Sequence, residues 1–228
     1  MNTISIVIPT LNEEKALPAT LASVLGQQGD YEVMVVDGGS TDRTQEIVDG
    51  YRGRLAALDW SVSARGRALQ QNAGAERASG DWLLFLHADT RLPPTALAAI
   101  RRLPAAVAAG GFRQRFDSTN RLMQLLSLLD NWRFRFTHIL YGDQALFLRR
   151  DLFIELGGFP DRPMEDVAFS LRLRSVTRPR LLPLTVLTDP RKFDQMGHWR
   201  ALGRAIVLLV RFRFGADVAS DPFFDAYR

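Results

Sequence analysis

A chain of 228 residues, 46% hydrophobic and 24% charged, is long enough to bury a substantial core and fits one globular domain. It has no cysteine and only three histidines, which excludes disulfides and thiolate metal sites, argues against a histidine-built zinc site and leaves carboxylates to hold any metal. The net charge of +4 is carried almost wholly by arginine, since Lys15 and Lys192 are the only lysines; this either suits phosphate and carboxylate recognition or is a bias of composition. No basic run interleaved with aromatics appears, so nucleic acid is not an expected partner. Met1-Asn2-Thr3-Ile4-Ser5 lacks the basic segment and apolar run of a secretory signal, and the expected location is the cytoplasm or the inner face of the membrane.

Ser5-Ile6-Val7-Ile8 is a β-branched run closed by Pro9, the pattern of a buried strand that ends at a loop. Asn12-Glu13-Glu14 opens a helix in which Leu17, Leu21, Val24 and Leu25 recur at helical spacing until Gly26 and Gly29. Tyr31 to Val36 reads as a second strand, Asp37-Gly38-Gly39-Ser40 as a turn, and Thr41-Asp42-Arg43-Thr44 as the start of a helix through Val48. Strands alternating with helices specify a parallel sheet. A helix from near Gly66 to Ala78, a turn at Ser79-Gly80-Asp81 and the strand Trp82 to Leu86 continue the alternation and run into His87-Ala88-Asp89. Ligands of open α/β sheets bind beyond the carboxyl ends of the strands, where Asn12, Asp37 and Asp89 collect.

Beyond Pro93-Pro94 the pattern predicts a helix through Ile100, a strand around Gly111-Phe112-Arg113, a helix from Leu122 to Leu129 and a strand from Ala145 to Leu148. A helical turn from Asp151 to Leu156, the loop Gly157-Gly158-Phe159-Pro160 and a helix from Asp166 to Leu173 follow. Trp199 to Phe214 sets Leu202, Ala205, Ile206, Leu209 and Val210 among Arg200, Arg204, Arg211 and Arg213. That is a basic amphipathic helix, too short and too charged to span a bilayer. It suits an anionic membrane surface, a second subunit in a homodimer, or the role of a cover for the core. No repeat or low-complexity stretch divides the chain, so the expectation is a single domain.

Ser5 to Glu14, followed by Val35-Val36-Asp37-Gly38-Gly39-Ser40-Thr41-Asp42, resembles the opening of the family 2 glycosyltransferases, which have the GT-A fold. Gly80 to Asp89 looks like the strand that ends in that family's metal motif, and Gly157-Gly158-Phe159 followed by Glu165-Asp166 looks like its acceptor-side motif. The order and spacing fit across residues 4 to 174. The chain is also similar to a bacterial subgroup of small transferases often encoded near radical-SAM proteins, which share the His-Ala-Asp-Thr run and a short basic tail. The resemblance implies a Rossmann-like, mostly parallel sheet flanked by helices. It further implies a nucleotide-binding half over residues 1–92, an acceptor half over 93–190 and a C-terminal basic segment over 191–228.

It also implies an inverting transfer from a nucleoside-diphosphate sugar, a UDP-sugar above all, to an acceptor hydroxyl, with a lipid-linked acceptor one option. A divalent ion offsets the charge that develops on the diphosphate, and Mg²⁺ and Mn²⁺ take carboxylate and phosphate oxygens. Asp89 is the expected metal ligand. His87 stands where the family commonly has an acid, and it either hydrogen-bonds the sugar, joins the metal or simply caps the strand. Ala88 lies between them. Asp37 is the expected nucleoside contact, although Gly38 replaces the second acid common in the family, and Asp37-Gly38-Gly39 also makes an ordinary turn.

Pro9, Thr10 and Asn12 supply the loop beneath the base, with Glu14 beside it. Gln71 stands in place of a family arginine, and Arg67 shares its helix face four residues earlier, so that Arg67 either reaches the donor phosphates or is a solvated surface residue. Asp166 is the implied general base and Glu165 its support, against the plainer alternative of acids that favour a helix start. Gly142, Asp143 and Gln144 line the acceptor pocket, and Arg191 with Lys192 either closes over the diphosphate or is an ordinary surface pair. The Gln-x-x-Arg-Trp motif of processive members is absent from this sequence. A nucleotidyltransferase is a weaker reading, because Pro9-Thr10-Leu11-Asn12 lacks the glycines of its basic loop. A non-catalytic module is favoured by the departures at His87 and Gly38 and opposed by the retention of Asp89 and Asp166.

Overall fold

The computed structural model describes residues 3–55 and 57–191, together with 194, 203 and 207. Strand β1 (Ile4–Thr10) is buried along its whole length. It pairs in parallel with β2 (Tyr31–Asp37) on one side and β4 (Trp82–Phe85) on the other, and β3 (Leu58–Val62) extends the parallel run beyond β2. Helices α1 (Leu17–Leu25), α2 (Thr44–Asp49) and α3 (Arg67–Arg77) make the crossovers. Past β4 the strand sense changes, because β7 (Phe147–Arg149) runs antiparallel to both β4 and β6 (Ala109–Phe116). Strand β8 (Arg180–Thr188) then lies parallel to β6 and closes against the short β5 (Thr90–Arg91). The result is one sheet of order β3-β2-β1-β4-β7-β6-β8-β5. The expected halves on either side of residue 92 are thus joined by continuous hydrogen bonding at β4–β7 and at β5–β8.

The period of two in β1 divides the core. Ile4, Ile6 and Ile8 pack with α1 and with α4 (Ala96–Arg101) on one face, whereas Val7 packs with α3 and with Phe153, Phe159 and Phe169 on the other. Each such fully buried aliphatic side chain contributes about 1.5–3 kcal/mol. Helices α6 (Arg150–Glu155) and α7 (Glu165–Val176) cover the second face, joined by the Gly157-Gly158 loop.

Helix α5 (Arg121–Thr137) does a different job. Beyond Gly110 strand β6 has lost β7 as a partner, and α5 lies along that open edge. The Asn131 amide accepts from the Gln114 N–H at 2.9 Å and donates to the Gln114 carbonyl at 2.8 Å, and the Phe116 N–H donates to Ser127 Oγ at 3.0 Å. Side chains of a helix here replace the missing strand, which protects an edge that would otherwise invite pairing.

Several boundaries differ from those the sequence predicts. Helix α1 starts at Leu17 and not at Asn12, because Asn12 adopts a left-handed conformation with φ 54° and Pro18 enters the first turn, where its missing N–H costs nothing. Strand β7 begins at Phe147 because Ala145 is also left-handed, with φ 47°. Helix α5 runs on to Thr137 instead of stopping at Leu129, and strands β3 and β8 were not anticipated. The predicted helix from Trp199 to Phe214, and Lys192, lie outside the described residues. Among the described residues no helix is long and apolar enough to cross a membrane.

Helix α3 approaches the sheet more closely than a side chain would allow. A Cβ on Gly74 would stand 2.4 Å from Val7 Cγ1 and 3.1 Å from Val36 Cγ2. Gly74→Ala gains roughly 1 kcal/mol of helix propensity but overpacks a fully buried contact, which costs about 1–3 kcal/mol. The variant is expected to be less stable, with a lower urea midpoint and an unchanged m-value; equal stability would show that α3 can lift from the sheet freely.

Candidate active site

Three strand ends define one side of the site. At the ends of β1 and β2, Asp37 is buried and its two oxygens accept four hydrogen bonds, from Thr10 Oγ1 at 3.1 Å, from Ser40 Oγ, and from the Gly39 and Ser40 N–H groups at 2.9 and 2.7 Å. Asn12 Oδ1 accepts from the Thr41 N–H at 2.8 Å, and the Asn12 N–H donates to Ser40 Oγ at 2.8 Å. These contacts lock the loop after β1 to the loop after β2. Pro9 stays in strand register opposite Val36. Glu14 turns to the start of α2, where its carboxylate accepts from the Arg43 N–H at 3.3 Å. Beneath both strand ends lies Gln70, whose Nε2 donates to the Thr10 and Val36 carbonyls at 2.7 and 2.9 Å.

The third strand end is that of β4. Ala88 packs into the core and its carbonyl accepts from Thr20 Oγ1 at 2.8 Å, so it builds the strand end and does not line the site. Asp89 is nearly buried, and its backbone carbonyl is held by the Asp189 N–H at 3.0 Å. Arg191 hydrogen-bonds Glu13 and stands 3.9 Å from Asp89 Oδ2. Among the described residues no group of three His, Cys, Asp or Glu side chains is placed to hold an ion. Asp89 with its nearest acids thus falls short of a full ligand set among the described residues, and Mg²⁺ or Mn²⁺ would fit there only where substrate phosphates and water fill the remaining positions.

The opposite wall comes from the segment between α5 and β7 and from the start of α7. The Gly142 N–H donates to Asp166 Oδ2 at 2.7 Å, while Asp166 Oδ1 accepts from the Val167 N–H at 2.8 Å. A Cβ on Gly142 would fall 2.4 Å from His87 Nε2 and 3.4 Å from Asp166 Oδ2. The imidazole at the end of β4 and the carboxylate at the start of α7 thus meet over one glycine. Two left-handed non-glycine residues bracket this wall, Ala145 after Gly142-Asp143-Gln144 and Met164 before Glu165-Asp166. Such conformations store about 1–2 kcal/mol each and collect at functional sites. Arg67, at the first position of α3, faces Glu165 at 3.5 Å. Gln71 is fully buried, and among the described residues its Oε1 has no hydrogen-bond partner.

Acidic groups crowd behind this wall. Burial, reinforced by Asp130 and Asp166, raises the Asp143 carboxyl well above the ordinary carboxylate range, and Asp143 Oδ1 is enclosed without a hydrogen-bond partner among the described residues. Burial also raises Asp130, against the pull of Arg133, whose Nε donates to Asp130 Oδ1 at 3.0 Å. The Arg133 guanidinium lies 3.6 Å from the centroid of the Tyr141 ring, and burial pushes that phenol up to about 12. Glu165 is raised by burial, and the Arg67 charge opposes the shift. Gln144 is buried, its Oε1 accepting from the Tyr141 N–H at 3.0 Å.

Of the residues expected from the sequence, His87, Gly142, Asp143, Glu165 and Asp166 come together on one wall, and Thr10, Asn12 and Asp37 on the facing loops. Arg67 is drawn to Glu165, and Glu14 and Ala88 serve neighbouring structure. Sequence reasoning missed Gln70, Glu13, Asp130, Arg133 and Asn72. Asn72 fixes the Gly-Gly-Phe loop by exchanging two hydrogen bonds with the Phe159 backbone, at 2.8 and 2.9 Å.

Comparison with known proteins bears on the whole arrangement. Glycosyltransferases of Mycobacterium bovis and Mycobacterium tuberculosis named for PGL/p-HBAD biosynthesis are 34% identical over 187 residues, which cover 78% of this chain and 71% of theirs. The crystal structure of Staphylococcus aureus TarS with UDP-GlcNAc superposes with a TM-score of 0.68 at 22% identity over 83% of this chain and 58% of that one. The mannosyltransferase PcManGT of Pyrobaculum calidifontis, solved with GDP-Man and Mn²⁺, gives a TM-score of 0.63 at 22% identity over 81% and 56%. This chain therefore spans less than two thirds of either solved chain, and at that identity the likeness carries the GT-A fold alone. The model of glycosyl transferase family 2 matches residues 5–157, and the chain belongs to that family.

Proposed function

We propose that this protein is an inverting glycosyltransferase that moves a sugar from a nucleoside-diphosphate sugar, a UDP-sugar first of all, to an acceptor hydroxyl. The observation that supports this is the meeting of His87 and Asp166 over Gly142, which sets the end of the central strand β4 against the start of α7. The solved relatives carrying UDP-GlcNAc and GDP-Man with Mn²⁺ are precedents for the donor class. The His-Ala-Asp-Thr run at residues 87–90 supports membership of the small subgroup encoded near radical-SAM proteins.

In this reading the nucleoside rests on the loops that Thr10, Asn12 and Asp37 hold together, and the diphosphate lies beside Asp89 and Arg191. A divalent ion, when bound, neutralises the charge of the departing diphosphate. Asp89 would hold it, and Arg191, now turned to Glu13, is within reach of the same oxygens. Asp166 takes the proton of the acceptor hydroxyl as that oxygen bonds to the anomeric carbon and the bond from that carbon to the phosphate oxygen breaks, inverting the centre in one displacement. The Gly142 N–H fixes the carboxylate that does this, and Arg67 holds Glu165 beside it.

Three outcomes test the reading. Asp166→Asn is expected to keep donor affinity while transfer per folded molecule falls roughly 10²–10⁴-fold; full turnover in a variant that merely melts earlier removes Asp166 from the mechanism. Asp89→Ala is expected to lose Mn²⁺-dependent nucleotide binding by calorimetry, and unchanged affinity with unchanged metal dependence rejects the metal assignment. The third concerns Asp143, whose raised carboxyl binds its proton more tightly in the folded state than in the unfolded chain, where the ordinary value is 3.8. The stability held by its neutral form is complete below 3.8 and is lost as pH rises through the raised value. Asp143→Asn is therefore expected to raise the melting temperature over the parent in alkaline buffer and to lose that advantage in acid; an advantage independent of pH refutes it.

A further inference from the structure

Helix α5 wears its two faces in an unusual order. Ser127, Asp130 and Asn131 turn inward, to the edge of β6 and to Arg133, while five large apolar side chains turn outward. Leu125, Leu128, Leu129, Trp132 and Phe136 are 49, 64, 49, 56 and 69% exposed, and the rings of Trp132 and Phe136 stand edge to face with centroids 4.8 Å apart. Their spacing of three, four, seven and eleven residues from Leu125 lays them in one ridge along the helix. Exposed Arg121 and Arg135 lie on the same side of the helix, and its one acid, Asp130, is on the other.

Contiguous exposed apolar surface of this kind marks an interaction site. A second copy of the chain is a poor occupant, because in a two-fold contact each ridge would bring its arginines to arginines with no carboxylate on the face to meet them. A layer of anionic phosphates over hydrocarbon matches both features at once. Leu, Trp and Phe with flanking Arg is the composition of a helix that lies in a membrane interface. We infer that α5 docks the protein on an anionic lipid surface, with Trp132 and Phe136 among the headgroups and Arg121 and Arg135 on lipid phosphates. The same helix carries Asp130 and Arg133 behind the Gly142-Asp143-Gln144 wall, so docking brings that side of the site to the membrane. The inference stands on the surface of α5 and holds whatever sugar is moved.

Co-sedimentation of the full chain with phosphatidylcholine vesicles, with and without phosphatidylglycerol, at low salt tests it. The protein is expected to bind the anionic vesicles and to release in high salt. Trp132→Ser combined with Phe136→Ser is expected to weaken binding on the order of tenfold or more, and Arg121→Gln with Arg135→Gln to abolish the preference for phosphatidylglycerol. Both double variants should keep the parent's melting curve, since the positions are exposed. Failure of the parent to bind either vesicle, or binding by both variants equal to the parent's, overturns the proposal. So does a dimer in sedimentation equilibrium that Trp132→Ser with Phe136→Ser converts to monomer, which would make the ridge a subunit interface.

Discussion

Gly74 lets the backbone of α3 rest directly on Val7 and Val36, and the polar contacts of the site are set by that depth. From this one helix Gln70 reaches down to two strand-end carbonyls, Asn72 reaches across to both backbone groups of Phe159, and Arg67 reaches Glu165 at the start of α7. Hydrogen bonds weaken steeply outside a window of a few tenths of an ångström, so a helix lifted by the width of a methyl group could not make the Gln70 pair together. The two halves of the chain are thus aligned through a spine whose closeness to the sheet rests on the absence of one side chain.

Carboxylates stand on both sides of the site that this spine aligns, with Asp37, Asp89 and Glu13 by the strand ends. Arg191 stands by the strand ends, whereas Asp143, Asp130, Glu165 and Asp166 gather on the far wall behind Gly142. Burying several carboxyls together is costly, and burial raises Asp130, Asp143 and Glu165 above the ordinary carboxylate range. In the proposed reaction the diphosphate meets Arg191 and the acceptor hydroxyl gives its proton to Asp166. Arg133 and Arg67 complete the wall from behind, each tied to one acid.

What the sequence revealed of this arrangement follows from how local each signal is. Strands β1, β2 and β4 are buried on both faces, so their apolar runs are unbroken and easily read. Strand β3 mixes Asp59 and Ser61 into a half-exposed edge, and β8 contains Pro183 at a register shift against β6, so neither has the pattern of a strand on its own. Asp37, Asp89 and Asp166 were legible because loops at strand ends and acids at a helix start occupy recognisable places. Gln70, Asn72 and Asp130 were not, because each acts on a group distant in sequence, and a Gln or Asn inside a helix looks like any solvated residue. The contact of Arg67 with Glu165 was out of view for the same reason, since the two lie 98 residues apart.

The outward face of helix α5 was hidden in a further way, because its amphipathicity is inverted. A helix that packs on a sheet face turns apolar residues inward, but one that seals a sheet edge must offer hydrogen-bonding groups to unpaired N–H and C=O. Asn131 and Ser127 meet that demand, and Met123 and Phe134 fill the remaining contact. The fold therefore asks nothing of the outward positions except helix propensity, for which Glu, Lys or Gln would serve as well as Leu and better than Trp or Phe. Five large apolar residues at those positions are a cost to solubility that folding does not require. A surface that is costly in water, basic at its margins and attached to the wall behind Gly142 is explained by an environment other than water, and an anionic lipid interface is the one that uses all three properties.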